Sequence, residues 1–225
     1  NGLASFGTAL FTLGFWLQIM PPLQSVSIIM VISATTGLQG FWVIRKTAYK
    51  QRKRISRYLV PGLCGIPIGL FCLNYIESEW LRNGVGVILI AYGFYVLTKT
   101  KMPVLQKDFP KTEIAIGLGG GILGGLASLS GAIPSIWLSL QNWPKHDLRA
   151  VLQSFNLTIL SVSAVSLFFF GAYTPQSLPV LMIALPVSIF AAQLGIICFK
   201  RLDEKSFKTT LVFLMFISGI LILAT

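Results

Sequence analysis

Between Ile114 and Pro144 the chain runs for 31 residues without an Asp, Glu, Lys, Arg or His. As one straight helix at about 1.5 Å per residue it would measure about 46 Å, far beyond a hydrocarbon core of about 30 Å. Seven glycines and an internal proline, Pro134, punctuate it, and both residue types disfavour a helix interior. The stretch is apolar enough for a bilayer, yet too long and too broken for a single span.

The rest of the chain is similarly apolar. Hydrophobic residues make up 54% and charged residues 11%, with mean hydropathy +0.76, whereas a soluble domain carries about a quarter charged residues. Apolar runs fall at 2–20, 24–44, 58–76, 84–98, 114–142, 150–171, 178–199 and 207–224, most of them near the roughly 20 residues of a transmembrane helix. The predicted class is an all-α integral membrane protein, with the lipid bilayer as its first partner.

Net charge is +11, and Arg45 to Arg57 holds seven Lys and Arg. Such a run suits nucleic acid in a soluble protein. Between apolar segments it reads instead as a cytoplasmic loop facing anionic lipid, with no nucleic-acid partner. The positive-inside rule also decides how the long uncharged stretch is threaded. A single crossing leaves the cations weakly sorted, whereas a hairpin that enters and returns, breaking between Ser128 and Pro134, puts 17 of the 18 on one side.

Residues 1–21 lie over residues 124–144 without a gap, with eight identities that include "GLAS" and an "LQxxP" ending. The chain therefore reads as two copies: residues 1–98, a cytoplasmic linker at 99–113, and residues 114–225. Each copy would hold a re-entrant or broken-helix hairpin plus three transmembrane helices. That odd number of crossings makes the copies inverted repeats, an arrangement of secondary transporters that bind substrate at broken helices near the midplane. Asn1 aligns with Gly124, so the first arm of the first hairpin is expected to precede residue 1.

No carboxylate, Lys, Arg or His lies in the core of an apolar run, so an anion would have to be held by half-helix N-termini, hydroxyls and carboxamides. The candidates are Ser128, Ser130, Gly131 and Ser135 at the break, with Ser5, Thr8 and Thr12 as their counterparts in the first copy. Gln153 and Asn156, three residues apart on the next segment, share a face expected to look across at the hairpin. The plainer alternative is that these polar residues join helices and the glycines permit close packing. His146 and Arg149 read as a solvated turn. Cys64, Cys72 and Cys198 read as apolar packing residues, and one histidine with no CxxC argues against a metal or cofactor. No Ser–His–Asp set or HExxH motif suggests an enzyme.

The glycine-rich "GLGGGILGGLASLSGAIP", followed by "LQNWPKHDLRAVLQSFN", resembles the sulfite exporter TauE/SafE family, also called the sulfonate uptake permease family. The likeness covers nearly the whole chain. The first copy's "ASFGTALF" and the second's "LSGAIP" are poorer in glycine than the family's usual motifs. The resemblance implies a multi-pass transporter of the bacterial inner membrane that moves sulfite, a sulfonate or a sulfoacetate-like anion. A passive anion channel and a non-catalytic membrane partner of another complex are the alternatives, and a homo-oligomer is compatible with all three.

Overall fold

The computed structural model describes residues 19–77, 109–141, 143–175 and 177–203, with isolated positions elsewhere. Among the described residues the regular elements are six helices: α1 (Pro22–Lys50), α2 (Arg52–Leu73), α3 (Pro110–Ala127), α4 (Ala132–Ser139), α5 (Lys145–Phe169) and α6 (Ser177–Arg201). Four stretches are long and apolar enough to cross a bilayer: Pro22–Lys50, Arg52–Leu73, His146–Phe169 and Ser177–Cys198. The candidates Ser5, Thr8 and Thr12 lie outside the described residues, as do most of the first, fourth and eighth apolar runs.

The basic run is not a loop. Helix α1 continues through Arg45, Lys46 and Lys50, and α2 starts at Arg52 after the single residue Gln51. Lys and Arg are good helix formers whose long stems follow the helix while their charges reach water. At 29 residues, about 43 Å, α1 is longer than an apolar layer of about 30 Å, and its cations are confined to its last two turns.

The glycines of α3 do not break it. Helix α3 runs unbroken through Gly117, Gly119, Gly120, Gly121, Gly124 and Gly125, although each glycine costs about 1 kcal/mol relative to Ala. Close packing on α2 offsets that cost. A Cβ at Gly121 would strike the Gly62 carbonyl, and one at Gly117 the Tyr58 carbonyl. One at Gly125 would lie 2.8 Å from Ile66 O, and across the seam one at Gly65 would lie 2.5 Å from Leu118 O. Lipid tails give apolar helices little reason to associate, so small residues that let backbones meet supply the contact. The matched order of these contacts makes α2 and α3 parallel.

Beyond Ala127 the chain turns back. Ile133 Cδ1 lies 3.1 Å from where a Gly119 Cβ would stand, and the Phe109 and Trp137 ring centroids are 6.0 Å apart. Arg54 of α2 contacts both ends of the stretch: it bonds Glu113 Oε1 at 3.3 Å and covers the Trp143 ring at 3.9 Å. Its two ends therefore share one end of the bundle, as the sorting of cations requires.

Helix α5 leaves from that end and runs antiparallel to α1, for Gln153 meets Gly37 while the Tyr173 hydroxyl, beyond the far end of α5, reaches Ser27 O. Both helices begin one residue after a proline, at Pro21 (φ −56, ψ 152) and Pro144 (φ −56, ψ 143), the pair that the internal alignment superposes. Cys64, Cys72 and Cys198 are exposed on outer helix faces rather than packed inside. In a bundle surrounded by lipid an outward face is as apolar as the core, so hydrophobicity alone does not place them.

Candidate functional site

The break consists of four residues, Ser128 to Gly131, between α3 and α4. Ser128 adopts the left-handed conformation (φ 60, ψ 19), the one non-glycine residue with positive φ among the described residues. A side chain there costs about 1–2 kcal/mol. The turn closes α3, because Ser128 N–H donates to Gly124 O at 3.0 Å and Leu129 N–H to Leu123 O at 3.2 Å. The Ser128 side chain is fully buried, and its Oγ has no hydrogen-bond partner among the described residues. A buried hydroxyl without a partner costs about 1–3 kcal/mol.

Gly131 caps the start of α4. Of the four N–H positions that open a helix, Ala132 N–H is used on Leu129 O and Pro134 has none. Those of Gly131 and Ile133 have no backbone acceptor among the described residues. Helix α4 thus offers two backbone donors at most, and polar side chains must do the rest.

Those side chains converge. Ser130, fully buried, donates through Oγ to Asn156 Oδ1, close to half-way along α5. Ser130 fits because α3 has glycines beside it: a Cβ at Gly124 would lie 2.8 Å from Ser130 Cβ, and one at Gly120 2.8 Å from Ser130 O. Asn156 therefore faces the hairpin, as expected. Gln153 does not. It is buried, but its Nε2 donates to Gly37 O of α1 at 2.8 Å, and a Cβ on Gly40 would come within 2.9 Å of its carboxamide. Gln153 Oε1 has no hydrogen-bond partner among the described residues. Ser135 is buried too, with its Oγ on Ala132 O at 2.8 Å.

Two buried charges correct the expectation that the interior holds none. Glu113, read as part of the linker, is inside α3 and fully buried. Arg54 and Arg57 bind its two oxygens at 3.3 and 3.4 Å, which offsets its desolvation. Arg149, read as a solvated turn, has a relative exposure of 0%. It lies one turn before Gln153 and two before Asn156 on the same face of α5. Arg149, Gln153 and Asn156 make a fully buried polar stripe that climbs from the basic end to the broken hairpin. Its four-and-three spacing was the available signal, obscured by the charged neighbours Lys145, His146 and Asp147.

The break is a kinked backbone flanked by buried hydroxyls and the Asn156 carboxamide, with the buried Arg149 two turns earlier on α5. Among the described residues no group of His, Cys, Asp and Glu is arranged to hold a metal ion. No curated protein and no solved structure matches the chain. The family described as Sulfite exporter TauE/SafE matches residues 1–222. With that match covering nearly its full length, the chain belongs to the sulfite exporter TauE/SafE family, membrane transporters of sulfur-containing anions.

Proposed function

We propose that the protein is a secondary transporter of the bacterial inner membrane that carries sulfite, a sulfonate or a sulfoacetate-like anion by alternating access between two inverted repeats. The anion binds at the break, against Ser128, Ser130 and the Gly131 end of α4, with Ser135 behind and Asn156 opposite. Arg149, two turns before Asn156 on α5, supplies positive charge on the basic side of the site, and Gln153 fastens α5 to α1 beside it. In the first repeat, at residues 1–98, Ser5, Thr8 and Thr12 provide the equivalent surface.

The observation that carries this reading is the fully buried Ser128 hydroxyl, without a partner among the described residues and held in a strained conformation, two residues from the Ser130–Asn156 bond. Strained backbone and an unsatisfied buried hydroxyl are costs that a bound oxyanion would repay. Glycine at 131 lets such a ligand approach the backbone. The matched prolines before α1 and α5 support the repeat, since they begin corresponding helices that pack against each other.

The test is flux of labelled sulfite and of organosulfonates into proteoliposomes holding the purified protein, with Gly131→Leu beside it. Saturable flux with counterflow, abolished in folded Gly131→Leu, is expected. Flux that never saturates and shows no counterflow identifies a channel. No flux of any sulfur anion through folded protein rejects the substrate class.

A further inference from the structure

At the basic end of the bundle a groove of about 360 Å³ opens between α1, α2 and α5. Its floor is apolar, built from Phe41, Ile55 and Leu59, and its rim is cationic, with Arg45 and Arg52 on either side of Tyr49. Both guanidinium groups are held by aromatic rings. Arg45 lies 4.2 Å from the Trp42 ring centroid, and Arg52 lies 5.1 Å from that of Tyr49 while its Nη1 donates to the Tyr49 hydroxyl at 3.2 Å. Glu113 is taken by Arg54 and Arg57, and no ion pair among the described residues involves Arg45 or Arg52.

We propose that this groove is a binding site for an anionic phospholipid, whose phosphodiester is held by Arg45 and Arg52 and whose first acyl carbons lie on Phe41, Ile55 and Leu59. Charge complementarity and position select this occupant. The groove is polar and cationic where the helices leave the apolar layer and apolar where they enter it, the order in which a phospholipid presents headgroup and chain. Pre-positioned guanidinium groups suit a phosphodiester because their forked donors match its paired oxygens. The site requires the membrane setting but not the proposed transport activity, so the two readings fail separately.

The test is native mass spectrometry of the full chain in detergent, titrated with phosphatidylglycerol, phosphatidylcholine or soluble glycerophosphate. The proteins compared are the wild type, Arg45→Gln/Arg52→Gln and Lys50→Gln/Lys53→Gln, the two variants losing equal charge. Phosphatidylglycerol is expected to bind the wild type in preference to phosphatidylcholine, and glycerophosphate not to displace it. The arginine variant should lose roughly tenfold more affinity than the lysine variant. Equal losses would mean diffuse attraction to the basic surface and overturn the proposal. So would displacement by glycerophosphate, which would mark a free-anion site, or equal binding of phosphatidylcholine.

Discussion

Removing either partner of the Ser130–Asn156 bond tests whether the broken hairpin is fastened to α5 as described. Both residues are fully buried and the bond joins elements 26 positions apart in the chain. Ser130→Ala removes the donor, and Asn156→Ala strands the serine hydroxyl in an interior that cannot solvate it, at a cost of about 1–3 kcal/mol. Asn156→Ala also opens a cavity, so neither single variant isolates the bond. A double-mutant cycle cancels that contribution. Between transmembrane helices such couplings average about 0.6 kcal/mol and reach about 1.7. Complete burial of this pair places the expectation near 1 kcal/mol, roughly a fivefold change in the unfolding equilibrium. Unfolding in mixed micelles, followed through the five tryptophans, measures all four corners of the cycle. A coupling below about 0.3 kcal/mol, within the scatter of independent sites, would refute the fastening and leave Asn156 without a role at the break.

Three further outcomes follow from packing and charge. Gly121→Ala should destabilise the protein by about 1–3 kcal/mol because its Cβ overlaps the Gly62 carbonyl, lowering Tm in detergent, whereas Gly84→Ala, with nothing within 4 Å among the described residues, should not lower it. Ser128→Gly should raise Tm by relieving about 1 kcal/mol of left-handed strain while weakening half-saturation of transport, the opposite movements separating strain from binding. Glu113→Gln removes the charge that Arg54 and Arg57 share and should cost about 2 kcal/mol, visible as a lower Tm than that of Lys111→Gln, whose side chain is exposed.

The position of the break was legible because Ser128 to Pro134 combines glycine, proline and short hydroxyl side chains, which disfavour a continuing helix for separate reasons. Cation sorting then settled that the stretch returns. The upstream glycines misled, since a glycine that breaks a helix and one that seats it on a neighbour look alike until the neighbour is known. Gly62 and Gly65, the other half of that seam, belong to a segment more than 50 residues earlier. Glu113 was unreadable for the same reason, as its partners are 59 and 56 positions away. Arg149 was misplaced because charge near a helix start ordinarily means solvent. Its register with Gln153 and Asn156 pointed inward, and the bundle follows the register.

Occupation of the break by a sulfur oxyanion is tested by comparing sulfite flux through wild-type protein and Asn156→Asp. The substitution keeps the size and shape of the side chain and the acceptor for Ser130, so the hairpin remains fastened while a negative charge faces the bound anion. At about 4 Å and an effective dielectric constant of about 20, like charges repel by about 4 kcal/mol. Flux at subsaturating sulfite is expected to fall at least roughly tenfold in monodisperse Asn156→Asp. Wild-type flux through that variant would contradict that occupation and place the anion elsewhere.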